Sequence, residues 1–272
     1  MEKSRDVWTI SYLLNWTINY FKSKGIESAR LDAEVLLSHV LGQKRIYLYV
    51  HFDEPMEAKE LAKFREYVAK RARHIPVAYI LGQREFMGLD FKVTKDTLIP
   101  RPDTEILVEN TIAKVNENFG DKQSYDIVDI GTGSGAIILS LLKNLPKARG
   151  FTVDISANAV AVAKENAQNN NVSNTEFFAG DVEIVLDDLI NNKGLKADVV
   201  MFDPPRKGLD KKSIDNILNI RPKKIVYISC NPATLIRDLA DFENEYDIKT
   251  IIPVDMFPFT SHVECVATLQ LK

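Results

Sequence analysis

The stretch Tyr125-Asp126-Ile127-Val128-Asp129-Ile130-Gly131-Thr132-Gly133-Ser134-Gly135 constrains this chain more than any other. An apolar run ends in alternating glycines, and Ala136 to Leu142 resumes at once as an apolar, helix-like run. The pattern predicts strand, tight loop and helix. Glycines let the backbone turn sharply and approach a ligand closely, and a helix start offers N–H groups without intrahelical partners. The third glycine comes one residue too early for the dinucleotide fingerprint G-x-G-x-x-G. Asp154 follows about twenty residues on, after the apolar run Gly150 to Val153, where an acid at a second strand end suits a ribose diol. Together these features predict a nucleoside site.

The bulk numbers narrow the setting. A chain of 272 residues can bury a large core in one or two domains. Hydrophobic content of 45% and charged content of 27% are those of an ordinary soluble protein. Lys and Arg number 35 against 38 Asp and Glu, a net charge of -3, so no global basic field points to nucleic acid, while a local patch stays open. No apolar run reaches membrane-spanning length, and the charged start Met1 to Asp6 is unlike a signal peptide. Two cysteines, Cys230 and Cys265, are too few for a four-cysteine metal site, so no metal is expected; reduced thiols and a cytoplasmic location are.

From Val7 to Ala72 the sequence reads as successive helices. Ile10, Leu13, Leu14, Ile18 and Phe21 recur at helical spacing up to Gly25, and Ala33, Val35, Leu36, Val40 and Leu41 do so up to Gly42. Leu61, Phe64, Tyr67 and Val68 mark a third. These predict a helical substrate-recognition domain over 1–75. Glycines and alternating apolar residues over Pro76 to Val93 predict a hairpin linker over 76–97. The prolines of Leu98-Ile99-Pro100-Arg101-Pro102-Asp103 force an extended entry, with Asp103 or Thr104 able to cap the helix that follows. Beyond Asp154, helix-like Ala157–Asn169 and Pro232–Phe242 alternate with strand-like 176–179, 197–202, 224–228, 248–254 and 263–269. That order predicts an α/β domain over 98–272 with a mostly parallel sheet and an antiparallel closing pair. Asp129, Asp154, Asp181, Asp203 and Cys230 all fall at the strand ends where such sheets bind ligands.

Three resemblances sharpen this reading. Asp129 to Gly135 resembles motif I of class I, Rossmann-like methyltransferases, which implies S-adenosylmethionine as cofactor and Asp154 as the ribose-binding acid. On that resemblance the cofactor site comprises Asp129, Gly131, Thr132, Gly133, Gly135, Asp154, Asp181, Val182 and Asp203. Arg30-Leu31-Asp32-Ala33-Glu34, Pro76-Val77-Ala78-Tyr79-Ile80-Leu81-Gly82 and Thr97 to Glu105 resemble the release-factor glutamine methyltransferases, over roughly residues 7–160. That family's helical N-terminal domain docks a peptide-chain release factor, and its catalytic domain methylates a glutamine side-chain amide. Its Asn-Pro-Pro-Tyr, however, is Asp203-Pro204-Pro205-Arg206 here. Asp203 to Gly208, Ser229-Cys230-Asn231-Pro232-Ala233-Thr234, Pro253 to Pro258 and His262-Val263-Glu264 resemble RNA 5-methyluridine methyltransferases instead, over about 165–272. The chain thus reads as a hybrid, natural or engineered, although the oligonucleotide-binding barrel and cysteine cluster of a complete RNA uracil enzyme are absent.

The tail has its own chemical logic. Carbon 5 of uracil is a poor nucleophile until a thiolate adds at carbon 6, and a base must then remove the carbon-5 proton. Cys230 follows a strand and precedes Asn231 as N-cap and Pro232 at the first helical position, so the helix N-terminus is expected to lower its pKa. Glu264 is the candidate base, with Asp203, Pro204, Pro205 and Arg206 holding the pyrimidine. Cys265, alternating with Glu264, is expected to face the core. The leading expectation is therefore RNA uracil carbon-5 methylation through a Cys230 adduct. The alternative is glutamine methylation of a release factor, and the third is a non-catalytic hybrid that only binds the factor.

Overall fold

The structure is a computed structural model that describes residues 7–119, 122–255, 260 and 263–272. The chain divides into two compact units, Met1–Gln83 and Arg84–Lys272. In the first, the helical periods are realised as α1 (Ile10–Ser23), α2 (Ala29–Leu41), α3 (Tyr47–Val50), α4 (Ala58–Arg71) and α5 (Val77–Leu81). The Thr9 hydroxyl accepts from Tyr12 N at the start of α1, and reciprocal Glu57 and Glu60 contacts cap α4. Ile10, Phe21, Leu36, Leu37 and Phe64 close the core.

The Arg30-Leu31-Asp32-Ala33-Glu34 motif has a structural account. Asp32 is buried and accepts from Ser28 Oγ at 2.8 Å and Arg71 Nε at 2.7 Å. Glu34, also buried, accepts from Arg30, Arg45 and the Tyr49 hydroxyl. Burial alone would lift the Glu34 carboxyl, but those three donors hold it below the ordinary range.

The hairpin expected across Pro76–Val93 occupies only the second half of that run. Val77–Leu81 is helical, ended by Gly82, and the hairpin is β1 (Gln83–Phe86) and β2 (Leu89–Lys92). A run this short fits a helical turn and a strand equally well. Met87 and Gly88 both take positive φ, the two-residue turn that matches strand twist.

The second unit holds a seven-stranded sheet. Its strands are β3 (Tyr125–Ile130), β4 (Ala148–Asp154), β5 (Thr175–Ala179), β6 (Val199–Phe202), β7 (Lys224–Ser229), β8 (Tyr246–Val254) and β9 (Glu264–Leu271). The spatial order is β5-β4-β3-β6-β7-β9-β8. The first five are parallel, and β9 runs antiparallel between β7 and β8. The helices are α6 (Thr104–Phe119), α7 (Ala136–Asn144), α8 (Ala157–Asn169), α9 (Val182–Asp187), α10 (Lys211–Ile220) and α11 (Pro232–Phe242), with one π turn at Asp188–Asn192. Sequence periodicity did not single out α10, although Asp210 caps it and Ile214 and Ile217 bury its inner face. The middles of β3, β6 and β7 are continuous apolar runs because both faces are covered: Ile127 packs into one core and Val128 into the other.

The chain leaves β3 toward β4 on one side and returns to β6 on the other, so a crevice opens beyond the carboxyl ends of β3 and β6. One buried amide fixes the loop above it. Asn166 of α8 accepts from Lys92 N at 2.7 Å and donates to Lys92 O at 3.0 Å and Ser134 O at 2.8 Å. Helix, hairpin and glycine loop therefore share one side chain. Asn166→Ala strands three main-chain groups, one buried and two part-buried, and is expected to cost roughly 2–4 kcal/mol, read as a lower urea midpoint with native far-ultraviolet dichroism before the transition.

Candidate active site

The glycine loop is built as a support as much as a binding surface. Gly133 N donates to Asp154 Oδ2 and Ser156 N to Asp154 Oδ1, each at 2.8 Å. The Asp154 carboxylate thus braces the loop, with about two of its four acceptor positions still available for a diol. Thr152 Oγ1 donates to Asp129 Oδ2 at 2.8 Å and is hydrogen-bonded to Thr132 Oγ1. Gly135 takes φ 79, and a Cβ there would meet Leu139 at 3.1 Å and Ala163 at 3.2 Å, so no larger residue fits between α7 and α8.

A cleft of about 380 Å³ opens beside this loop, walled by Ile130, Gly131, Val153, Asp154, Ile155, Asp181, Val182, Phe202 and Leu209. Of the expected cofactor residues, Gly131, Asp154, Asp181 and Val182 line it, while Thr132, Gly133 and Gly135 act behind it. Asp181 also caps α9 through Glu183 N at 2.9 Å. Acids at two strand ends, an apolar floor and the exposed Ile155 at the lip suit a ribose and a purine face. The donor set therefore fits an adenosyl group.

Past Phe202 the cleft gives way to a charged mouth. Asp203 follows β6, Cys230 follows β7 and Glu264 opens β9. The Ser229–Cys265 register pair brings Cys230 alongside Glu264, because the two strands run in opposite directions. Arg101 Nη1 stands 3.6 Å from Glu264 Oε1. Asp203 opens to solvent on one side but is walled by protein on the others, and burial, Glu264 and Asp129 push its carboxyl up to about 7 against the opposing pull of Arg101. Glu264 is raised by burial against Arg101 and Arg206.

Cys230 corrects an expectation. Asn231 does cap α11, accepting from Ala233 N at 3.1 Å, with Pro232 next. The thiol is nevertheless raised rather than lowered, because burial, Glu264 and Asp203 outweigh its own backbone N–H and Arg206. Burial is the largest cause, and the two carboxylates add to it. Cys265 is buried in the core as expected.

Three residues around the site were not among the expected site residues: Arg101, which lies in the Thr97–Glu105 motif, Asn166 and Asp238. Buried Asp238 accepts from Leu209 N at 2.8 Å and the Tyr227 hydroxyl at 2.5 Å, and Arg237 beside it donates to Lys207 O and Leu209 O. Asn231 Nδ2 and Thr234 Oγ1 donate to Arg206 O at 3.3 and 3.4 Å. The Asp203–Leu209 loop is thereby latched to α11. Gly208 is required there, since its φ is 75 and a Cβ would lie 2.4 Å from Asp238 Oδ2. Met256, Phe257, Pro258 and His262 of the expected motifs lie outside the described residues. Among the described residues, no helix is long and apolar enough to cross a membrane, and no group of three or more His, Cys, Asp or Glu could hold a metal.

Comparison with known proteins follows the same division. The family described as PrmC N-terminal domain matches residues 12–82, and the family described as tRNA (Uracil-5-)-methyltransferase matches residues 83–272. This chain belongs to the S-adenosylmethionine-dependent methyltransferases, joining a PrmC N-terminal domain to a tRNA (uracil-5-)-methyltransferase domain. The release factor glutamine methyltransferase of Rhodopirellula baltica is 41% identical over 209 residues, covering 75% of this chain and 68% of that protein. That of Geobacter sulfurreducens is 44% identical over 65% of this chain and 60% of its own length. An uncharacterized RNA methyltransferase of Listeria innocua is 42% identical over 62% of this chain but only 36% of its own length. In fold, the methyltransferase matches the Pyrococcus abyssi tRNA (uracil-54, C5)-methyltransferase bound to S-adenosyl-L-homocysteine, with TM-score 0.54 and 29% identity, covering 69% of this chain and 43% of that one.

Asp129 gives the cofactor side a pH signature. Burial first, and Asp154 second, raise its carboxyl from the ordinary 3.8 to about 6 against the Thr152 hydrogen bond. The folded methyltransferase then holds the Asp129 proton more tightly than the unfolded chain. Its stabilising contribution is complete below pH 3.8 and is lost as pH rises to about 6, by at most about 3 kcal/mol. The melting temperature of Asp129→Asn relative to wild type is expected to climb from pH 4 to pH 6 and then level off.

Proposed function

We propose that this methyltransferase modifies the side-chain amide of a glutamine in a peptide-chain release factor. The observation that carries the reading is the 41% identity to a release factor glutamine methyltransferase over 75% of the chain, an N-terminal PrmC domain included. The cofactor supplies an electrophilic methyl group on a sulfonium. The protein's part is to present the amide nitrogen, whose lone pair is delocalised, and to receive its proton. Asp203 stands where the resembled family has asparagine. With its carboxyl near 7, Asp203 is divided at neutral pH between two forms. The ionised form accepts the amide N–H; the protonated form offers one acceptor and one donor, as an asparagine side chain does. As the N–C bond forms and the S–C bond breaks, the departing proton has Asp203 and Glu264 to accept it.

A second reading has its own support. Cys230 and Glu264 sit side by side in a domain matching the tRNA (uracil-5-)-methyltransferases, which favours uracil carbon-5 methylation through a Cys230 adduct. The raised thiol works against it near neutrality, since the thiolate is the nucleophile.

Mass spectrometry of release factor and of RNA, each incubated with enzyme and methyl donor, separates these readings. Methylated glutamine is expected, with Cys230→Ala retaining the activity and Asp203→Ala losing roughly a hundredfold in kcat. Methylated uracil, a covalent adduct with 5-fluorouracil RNA and loss of both in Cys230→Ala would replace the first reading with the second. Binding of donor and release factor without transfer to either substrate would leave a non-catalytic hybrid.

A further inference from the structure

Arg101 belongs to the proline-framed run ahead of α6, and Glu264 opens the last strand. Both fall within residues 83–272, which one family model matches, but they are 163 positions apart in the chain and only the fold brings them together. The guanidinium is 58% exposed and the carboxylate 9% exposed across their 3.6 Å gap. Such a pair is asymmetric: Arg101 is largely open to water, whereas Glu264 is buried and, without Arg101, would have only Arg206 to offset its charge.

The groups facing Glu264 come from every strand end around it. Among the described residues, Asp203 and Arg206 follow β6, Cys230 follows β7 and Cys265 is next on β9, while Asp129, one residue before the end of β3, acts on Asp203. Arg206 opposes the negative field at Glu264 and Cys230; Arg101 opposes it at Glu264 and Asp203. Glu264 and Asp203 carry like charge, and Glu264 raises the Asp203 carboxyl second only to burial.

We infer that Arg101 is a positioning residue whose guanidinium sets the charge shared by Asp203 and Glu264, and with it the pH range over which the mouth can take a proton from its substrate. The inference rests on the mouth being the substrate site, and on neither substrate in particular. Methylation at nitrogen or at carbon 5 each releases one proton to the protein, and the acceptor must be ionised first. Arg101 favours the ionised form of both carboxylates, against burial at each and the effect of Glu264 on Asp203.

The test uses the full chain and two readouts. Carboxyl carbon-13 spectra, assigned with Asp203→Asn and Glu264→Gln, give the titration of the pair without any substrate. Arg101→Gln is expected to move the midpoints up by about half to one pH unit, the lower end of an opposite-charge effect because Arg101 is exposed. Arg101→Lys, which keeps the charge, is expected to retain the wild-type midpoints. With the methyl-accepting substrate, the acidic limb of the rate profile shifts by the same amount, a roughly three- to tenfold loss on its acid side. Unmoved midpoints in Arg101→Gln, or an equal shift in Arg101→Lys, overturn the inference. If the midpoints move while wild type methylates neither substrate, the charge-setting role stands and the substrate reading falls; active wild type with an unmoved rate profile sinks the inference alone.

Discussion

The desolvation of carboxylates along one sheet edge governs the second unit. Parallel strands deliver their last residues to the same edge, and here Asp129, Asp154 and Asp203 arrive there together, joined by Glu264 from the antiparallel strand. A buried carboxylate must be paired, hydrogen-bonded or protonated. Each takes a different course. Asp154 spends its oxygens on the main-chain N–H groups of Gly133 and Ser156, Asp129 leans on Thr152, Glu264 on Arg101, and Asp203 rises toward neutrality. The glycine loop, the cofactor cleft and the acid–base character of the mouth are consequences of that division.

The same edge explains how one fold accommodates parts of two families. The cofactor cleft is made by β3, β4 and the turns after them, and it asks only for an adenosyl-sized space with two acids and an apolar floor. What distinguishes a pyrimidine from an amide lies on the other side of the switch point, after β6 and β7. Asp203 can engage an amide edge in either setting, because a uracil imide and a glutamine side chain both place a donor next to an acceptor. Cys230 and Glu264 stand beside it, a thiol and a carboxylate brought together by the register of β7 and β9. The helical unit, for its part, closes a core of its own around Phe21, Leu36, Leu37 and Phe64.

Much of this was legible in the chain. The change of hydrophobic period around Asp129 to Leu142 predicted strand, loop and helix, and Ala157–Asn169 is helical over the predicted bounds. The order of the later strands was readable because each is a dense apolar run between polar turns. Val77–Leu81 was not, since five residues cannot separate a helical turn from a strand. The position of Cys230 was visible from Asn231 and Pro232, but its electrostatic surroundings were not: Asp203 and Glu264 reach it only through sheet register. Asn166 and Asp238 look like polar positions on amphipathic helices, and only tertiary packing turns them inward.

The latch at Asp238 has a consequence for heredity. It ties the loop after β6 to a helix that begins after β7, with Tyr227 of β7 as a third party. A recombination breakpoint between Gly208 and Tyr227 would hand one parent's loop to the other parent's helix, leaving a buried aspartate with mismatched donors. A breakpoint before β5 transfers loop, strand and helix as one intact block. An exchange that separates the loop from its helix is thus expected to cost stability through one buried carboxylate.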